Sequence, residues 1–468
     1  MKKLSILLLL SVAVLCARGK VDPAKDSRLK GAVRSGETNG WIQVHLQGTP
    51  AQIGFQHGYL LAPEIAETRK ILQLEMTRDS KKDWAFFRKA AHDVYWPHID
   101  REYREELQGI ADGAKARGVD IDVTDVTALN TWLEASPYYT TWFDKQKGKK
   151  PQGAKAPAER CSAFVATGSY TRDGKPVIGH NAWTGYMDGA RWNIIFHIVP
   201  AGGNAILMDG FPGLIHSGDD FGTNSAGIMI TETTISNFNG FDPKGIPEFV
   251  RARKAMQYSN SIDDFVRIMK EGNNGGYANT WLVADRRTNE IASLELGLKN
   301  VTLKRSKDGY FSGSNYPEDP KLIKEETEFD PADMGVSANA RRVRWSQVLE
   351  ENKGAIDVEA GKRFLGDHFD SFSKKQDPNE RTLCGHIDLS PRGIKDWQPP
   401  YGAAGAAQAK VMDSDMAGRM EIWAAMGHPC GIHFKAAAHL AANPDLSWQK
   451  DFLKDLDSRP WTKFQAAH

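Results

Sequence analysis

The fold of this chain is decided by the stretch Glu159-Arg160-Cys161-Ser162-Ala163-Phe164-Val165-Ala166. A lysine-, proline- and glycine-rich run at residues 145–160 leads into it, and an apolar, β-prone segment begins at the cysteine. Self-cleavage before Cys161 requires such a flexible linker. Cleavage makes the thiol of Cys161 a nucleophile and its α-amine, with a pKa near ~7.7–8.0, the base. The alternative is a buried structural cysteine that opens a core strand.

The composition is that of an ordinary globular protein. The chain has 468 residues, of which 41% are hydrophobic and 25% charged, enough for one large domain or two to three average ones. The net charge of +1 gives no reason to expect nucleic acid or an anionic membrane surface as a partner.

Residues 1–19 have the pattern of a secretory signal peptide. Two lysines precede a short apolar run, and Ala17 and Gly19 are the small residues expected before a cleavage point at Lys20. The run is too short for a comfortable membrane span, and no later segment is apolar enough for one. We therefore expect a secreted or periplasmic protein without a transmembrane segment.

The cysteine count is odd once the signal peptide is removed. Cys161, Cys384 and Cys430 remain in what we expect to be an oxidising compartment. A disulfide between Cys384 and Cys430 would leave Cys161 as the free thiol. This pairing is a hypothesis that the count permits but does not require.

Hydrophobic periodicity divides the chain at the linker. Residues 20–144 are predicted to be mostly helical after a strand at 40–46, with helices from residue 49, over 82–117 with a break at Pro97, and over 122–133. Residues 161–468 read as short strands and paired helices. Strands are predicted at 164–167, 177–180, 192–199, 205–211, 228–234, 280–285, 290–296, 382–389, 407–413 and 419–426, and helices at 247–258, 262–271, 340–351 and 358–369, before an irregular end. This order indicates an α+β protein with helices packed on antiparallel sheets.

Several separated motifs together resemble one enzyme group. They lie at residues 48–58 (GTPAQIGFQHG), 161–163, 173–175, 179–183, 217–221, 224–227, 231–234, 277–281 and 384–386. In this order and spacing they resemble the autoproteolytic cysteine acyltransferases related to penicillin acyltransferase and the phospholipase B-like proteins. The resemblance covers roughly residues 40–435.

Both groups are N-terminal nucleophile hydrolases. The resemblance implies a four-layer αββα sandwich, with two antiparallel sheets between helix layers. It also implies self-cleavage between Arg160 and Cys161 into an N-terminal α chain and a C-terminal β chain. Turnover would then pass through an acyl-thioester on Cys161.

The resemblance also suggests residues that support the nucleophile. His180, Asn181 and Trp183 would orient the amine and thiol; otherwise they are a strand end with a turn histidine and a core tryptophan. Asn279 is the candidate oxyanion donor, because its amide donates hydrogen bonds without charge; otherwise it caps a turn or strand.

Further candidates are less specific. Thr231 and Thr233 share one strand face and would contact the nucleophile or substrate, or they are ordinary strand threonines. Arg341 would hold the α-amine or the substrate, or it is a helix-surface charge. The pair Asp219-Asp220 reads as a structural turn before the next strand.

The late histidines and cysteines are the only candidates for a metal cluster. The group is His386, Asp388, His428, Cys430 and His433. Their separations match neither a compact zinc finger nor an HExxH motif, so we expect no metal and no cofactor.

The leading prediction is a secreted cysteine hydrolase or acyltransferase that acts on an amide-linked acyl group of a small molecule or lipid. The alternative is a phospholipase B-like ester lipase, and Ala182 and Trp183 after Asn181 are closer to that form. Other classes are a non-enzymatic binding protein on the same fold and an exported metallohydrolase that a chelator would inactivate. The acyl chain, the head group and the oligomeric state cannot be read from the sequence.

Overall fold

A computed structural model describes residues 26–150 and 161–466 of the chain. The predicted signal peptide lies outside the described residues, as do Arg160 and most of the predicted linker. The predicted cleavage point therefore adjoins the first described residue after the gap, Cys161.

The strands of the described residues are numbered in chain order. They are β1 (Val33–Thr38), β2 (Trp41–Gly48), β3 (Ser162–Thr167), β4 (Val177–Gly185), β5 (Ile194–Pro200), β6 (Ile206–Gly210), β7 (Gly222–Asn224), β8 (Ile228–Thr234), β9 (Asn279–Asp285), β10 (Glu290–Leu296), β11 (Val301–Ser306), β12 (Gly309–Gly313), β13 (Phe369–Asp370), β14 (Lys375–Gln376), β15 (Ala404–Asp413), β16 (Glu421–Met426) and β17 (Thr462–Gln465).

The α-helices of the same ranges are numbered likewise. They are α1 (Pro50–Leu60), α2 (Ala62–Ser80), α3 (Trp84–Ala90), α4 (Arg101–Ala116), α5 (Val123–Asn130), α6 (Trp132–Glu134), α7 (Thr140–Gln146), α8 (Tyr186–Gly189), α9 (Glu248–Tyr258), α10 (Ile262–Lys270), α11 (Pro320–Glu326), α12 (Ser337–Glu351), α13 (Val358–Leu365), α14 (Ser414–Gly418) and α15 (Ala436–Ala442).

Two large sheets form the centre of the molecule. One has nine strands in the order β1-β2-β5-β6-β7-β8-β9-β10-β11, and the other has six in the order β12-β3-β4-β15-β16-β17. The strand pairs are antiparallel except β2 with β5, which run parallel. The expectation of two purely antiparallel sheets is therefore wrong for the larger one. The connection from β2 to β5 includes α1–α7 and then β3 and β4 of the other sheet, so it is long enough for the crossover that parallel neighbours require.

The sheets face each other between two helix layers. β3 and β4 pack on β8 and β9 across the inner space. On the outer face of the nine-stranded sheet, α10 packs on β9 through the ring contact of Phe265 with Trp281. On the outer face of the six-stranded sheet, Phe164 of β3 contacts Trp345 of α12 and Phe364 of α13. The predicted four-layer αββα sandwich is confirmed.

The N-terminal motif forms a closely packed helix pair. Thr49 and Gln52 make a reciprocal capping box at the start of α1. α1 then packs against α4 so closely that a Cβ built on Gly58 would lie 2.0 Å from the carbonyl oxygen of Ile110. Gly113 of α4 meets α1 in the same way, with a Cβ 2.2 Å from the Phe55 oxygen. The glycines of this motif thus permit a backbone contact.

Three parts of the chain differ from the sequence expectation. Residues 26–144 contain the predicted strand at 40–46 as β2, and they also contain β1, which was not predicted. The strand predicted at 382–389 is not formed; this segment consists of bends and turns with one isolated bridge between His386 and Gly405. The end predicted to be irregular contains α15 and β17, and β17 pairs with β16. Within the described ranges, no helix has the length and hydropathy that a membrane span needs.

Candidate active site

Cys161 lies at the entry of β3, next to the gap in the described residues. It is 2% exposed, and its φ of 74° lies in the left-handed region. For a residue with a Cβ this conformation costs about 1–2 kcal/mol, so the surrounding contacts must hold it. The nucleophile candidate thus combines burial with a strained backbone at the predicted cleavage point.

Arg341 of α12 supplies one of those contacts. Its Nη1 donates to the carbonyl oxygen of Cys161 at 2.7 Å, and the residue has no exposed surface. Its Nε donates to Ser337 Oγ and its Nη2 to Asn315 Oδ1, both at 2.9 Å. The guanidinium carbon also lies 4.2 Å from the ring centre of Trp183. Arg341 is therefore a buried anchor beside Cys161 and not a helix-surface charge.

The surroundings of Cys161 keep its thiol protonated. Burial raises the pKa of the thiol well above its usual value, and the negative charges of Glu232 and Asp219 raise it further. A main-chain hydrogen bond from Trp183 and the charge of Lys410 act weakly in the opposite direction. Attack by this sulfur consequently requires a base that takes its proton.

The polar side chains of β8 and β9 lie on both faces of these strands. Thr231 and Thr233 share one face, because side chains alternate along a strand. Thr233 is directed toward the six-stranded sheet, since a Cβ on Gly313 of β12 would lie 2.5 Å from its hydroxyl oxygen. Asn279 is paired with Thr234, so its side chain lies on the opposite face of β8 and β9, together with Glu232.

The side chain of Asn279 is fully buried. Among the described residues, neither its amide nitrogen nor its amide oxygen has a hydrogen-bond partner. The buried hydroxyls of Thr231 and Thr233 are in the same state within these ranges. The hydroxyl of Thr234 on the same strand also lacks a partner within these ranges. Buried polar groups are nearly always satisfied, so this group of exceptions on two adjacent strands needs an explanation.

His180, Asn181 and Trp183 of β4, which were predicted to orient the nucleophile, make different contacts. Asn181 donates from Nδ2 to the carbonyl oxygens of Leu365 and Leu383, at 2.8 and 2.9 Å, and so ties the strand to the chain packed outside it. His180 lies 3.8 Å from Asp219 through Nδ1, and burial lowers its pKa to about 3, so the ring is neutral. Of the three, Trp183 hydrogen-bonds Cys161, through its main chain.

A buried ion network lies beside His180 between the two sheets. Lys410 of β15 donates to Asp209 of β6 at 2.9 Å and also to Asp219, and none of its surface is exposed. Ser217 Oγ lies 2.9 Å from a carboxylate oxygen of each of these aspartates, and its single O–H can donate to either. Asp219 is thus part of a structural cross-link as well as of the predicted turn. Asp209 and Lys410 were not predicted, because 201 residues separate the pair in sequence.

Asp220 belongs to a second group of buried acids. Burial and the neighbouring Asp219 raise the pKa of Asp220 to about 8, although it shares a hydrogen bond with Glu248. The pKa of Glu248 is raised well above its usual value by burial and by Asp220. The pair therefore retains a proton at neutral pH.

The predicted disulfide is not formed. Cys384 and Cys430 are both free thiols. Their sulfurs face histidine nitrogens: Cys384 Sγ lies 4.0 Å from His428 Nδ1, and Cys430 Sγ lies 3.5 Å from His386 Nε2. His433, which the sequence grouped with them, pairs with Asp457 at 3.4 Å.

A cavity of about 360 Å³ opens where β4 ends. Thr184 and Gly185, which directly follow Trp183, are part of its wall. Its other walls combine apolar side chains such as Trp132, Leu133 and Trp448 with acidic and basic ones. A partly apolar small molecule fits a space of this volume and lining.

Comparison with known proteins supports the resemblance seen in the sequence. The family model described as phospholipase B matches residues 67–295, a range that contains Cys161 and Asn279 but not Arg341. The chain resembles the phospholipase B-like proteins. The predicted resemblance is thereby confirmed, for a match that spans just under half of the chain.

Individual relatives are distant. An uncharacterized protein of Archaeoglobus fulgidus is 25% identical over 78% of this chain and 64% of its own length. The acyl-coenzyme A:6-aminopenicillanic-acid-acyltransferase 40 kDa form of Emericella nidulans is 24% identical over 49% of this chain and 57% of its own length. The chain thus spans less than two thirds of either relative. Penicillin V acylase from Agrobacterium tumefaciens covers 56% of this chain and 82% of its own at 12% identity, with a TM-score of 0.31, a likeness too weak to carry an argument.

Proposed function

We propose that this chain is an acyl hydrolase of the N-terminal nucleophile type, in which Cys161 is released by self-cleavage and then carries the acyl group as a thioester. The observation that supports this most is the position of Cys161. It is a buried, strained thiol that opens a core strand next to the lysine-rich linker, in a molecule whose Asn279, Thr231 and Thr233 have polar atoms without partners among the described residues.

Self-cleavage requires only groups of the chain and one water. The sulfur of Cys161 attacks the carbonyl carbon of Arg160, and the thiol proton passes to the scissile nitrogen, which leaves as the new α-amine. Water then hydrolyses the thioester, which frees the carboxylate of Arg160 and restores the thiol. The left-handed φ of Cys161 favours this step, because backbone strain at the bond is released on cleavage.

Turnover repeats the same chemistry on a substrate. The α-amine takes the thiol proton, the sulfur attacks the acyl carbonyl, and the amine returns the proton to the leaving group. The proposed donor to the developing oxyanion is the amide of Asn279, whose side chain shares a face with Glu232, the carboxylate whose charge acts on the Cys161 thiol. Water, or another acceptor, then removes the acyl group from Cys161. Arg341 donates a hydrogen bond to the carbonyl oxygen of Cys161 and so holds the main chain of the nucleophile.

An amide-linked acyl group is the substrate that the acyltransferase relative suggests, since that protein's name joins an acyl group to 6-aminopenicillanic acid. The alternative is an ester lipase, which the phospholipase B match favours. The cavity beside Thr184 and Gly185 suits the acyl or lipid group in either case. The signal-like residues 1–19 suggest that the protein acts outside the cytoplasm.

Rapid acid quenching with an amide and an ester of one acyl chain tests this function. In the wild-type protein we expect an acyl adduct on the peptide that begins at Cys161, and no adduct in Cys161→Ala. Ser162→Ala is the matched control, because the hydroxyl of Ser162 accepts a bond from Trp345, on the helix side of β3. The faster of the two substrates decides between amidase and lipase. Turnover that persists in Cys161→Ala would exclude the proposal.

A further inference from the structure

The structure brings together four metal-ligand side chains that lie far apart in the sequence. They are His368, Cys384, His386 and Cys430. Their ligand atoms all lie within 4.8 Å of one another. Two cysteines and two histidines are the ligand set typical of structural zinc. We propose that this group, called here the Cys2His2 cluster, binds one zinc ion and fixes the segment behind Trp183.

The spacing of the ligand atoms fits a tetrahedron around zinc. With Zn–N of about 2.05 Å and Zn–S of about 2.3 Å, the edges of a tetrahedron are about 3.4 Å between nitrogens and about 3.6 Å between nitrogen and sulfur. His386 Nε2 lies 3.2 Å from His368 Nε2 and 3.5 Å from Cys430 Sγ. Both distances are within a few tenths of an ångström of these edges.

The ligands also have the outer partners that zinc sites use. His386 turns Nε2 toward the cluster, and its Nδ1 lies 3.6 Å from the carboxylate of Asp388, which is longer than a hydrogen bond but places a negative charge behind the ring. The main-chain N–H of Ile432 lies 3.5 Å from Cys430 Sγ as a donor. His428 Nδ1 lies 4.0 Å from Cys384 Sγ, and its Nε2 contacts the hydroxyl of Tyr186 at 2.7 Å.

Charge and access agree with a bound divalent cation. Two thiolates neutralise the charge of Zn²⁺, while two neutral imidazoles add none. Cys384 and His386 have no exposed surface, whereas His368 and Cys430 are half-buried and give a route for entry. Four protein ligands leave no open position for water, so the site is structural and separate from the chemistry of Cys161.

The cluster joins two parts of the chain close to the candidate active site. His368, Cys384 and His386 lie in the turn-rich segment between α13 and β15, and Cys430 follows β16. A Cβ on Gly385, between two of the ligands, would lie 2.1 Å from the indole of Trp183. Zinc at this point would keep that segment packed against the tryptophan whose main chain bonds Cys161.

Zinc content of the purified full chain tests the proposal. After reduction, incubation with zinc and removal of excess metal, we expect roughly one zinc per chain in the wild type and in Cys161→Ala, which is the matched cysteine control. Cys430→Ala and His368→Gln should lose most of it. Both replaced residues are half-buried, and a circular-dichroism spectrum confirms that each variant is folded.

Cobalt substitution provides a second readout that does not depend on the variants. Co²⁺ in the wild-type chain should give the thiolate-to-metal charge-transfer band and the intense visible bands of a tetrahedral site. A chelator should lower the unfolding temperature of the wild type but not that of Cys430→Ala. Three results would each overturn the proposal. They are a zinc content well below one per chain, equal retention of zinc in Cys430→Ala, and a disulfide between Cys384 and Cys430 that forms in the presence of zinc.

Discussion

At the scale of single residues, the account depends on which buried polar side chains act in catalysis and which stabilise the fold. Asn279 was predicted from a motif, and the structure adds that its amide lacks hydrogen bonds within the described residues. Asn181 came from the same kind of reasoning, yet its amide holds two carbonyl oxygens. A motif can indicate that an Asn matters, but it does not reveal the direction of the side chain.

Asn279→Ala should therefore impair chemistry without unfolding the protein. We expect kcat to fall about 10²–10³-fold, as for the loss of one oxyanion donor, with little change in KM. Stability should be nearly unchanged, because no hydrogen bond among the described residues is lost. Steady-state kinetics and urea unfolding measure the two effects.

The control for this prediction is Asn130→Ala. The side chain of Asn130 bonds the carbonyl oxygens of Val126 and Gly213 and the N–H of Ile215. We expect it to lower the free energy of unfolding by about 1–3 kcal/mol. If Asn279→Ala destabilises the protein as much and leaves kcat intact, Asn279 is a structural residue.

Asp220 should make the stability of the protein fall as the pH rises. Its folded-state pKa of about 8 lies above the usual value of 3.8, so between these values the native state holds a proton that the unfolded state has lost. Stability from this group is fully present below about pH 4 and is lost as the pH rises toward 8.

Asp220→Asn removes this titration and keeps a side chain that tolerates the residue's φ of 52°. Urea unfolding at pH 5 and pH 8 should show a decline for the wild type that is smaller in the variant by about 1 kcal/mol or more. Equal declines in both proteins would mean that Asp220 is not the group that titrates.

At the scale of helices and strands, the contact of α1 with α4 gives the sharpest test. Gly58→Ala places a Cβ 2.0 Å from the main-chain oxygen of Ile110, which no side-chain movement relieves. We expect a loss of roughly 1–3 kcal/mol in the free energy of unfolding, although alanine favours helix over glycine.

Gly202→Ala is the control, because a Cβ at Gly202 meets nothing within 4 Å. It should change stability by less than about 0.5 kcal/mol. Two similar values, both small, would show that α1 and α4 are not as close as described.

Local signals in the sequence predicted much at this scale. The helix start at residue 49, the break at Pro97 and the strands at 164–167 and 177–180 were predicted from neighbouring residues, and the structure contains all of them. The segment at 382–389 has apolar residues in a strand-like pattern, yet Leu383 gives its carbonyl oxygen to Asn181 and not to a ladder. This hydrogen bond joins residues 202 positions apart, and a local pattern does not predict such a contact.

At the scale of the whole molecule, the features missed from the sequence are those made by distant residues. Lys410 with Asp209, and His368 with Cys430, join parts of the chain that no spacing rule connects. The layer architecture was predicted from the resemblance that the motifs carry, whereas the local patterns alone indicated an α+β protein. The ion network and the Cys2His2 cluster became visible once the sheets were assembled.

The central claim is that the chain cuts itself before Cys161, and intact mass with N-terminal sequencing tests it most directly. The account predicts that the purified wild-type protein consists of two fragments, of which the larger begins at Cys161. Cys161→Ala, prepared in the same way, should remain a single chain. A wild-type chain that stays whole, or a Cys161→Ala chain cut at the same bond, would contradict the account.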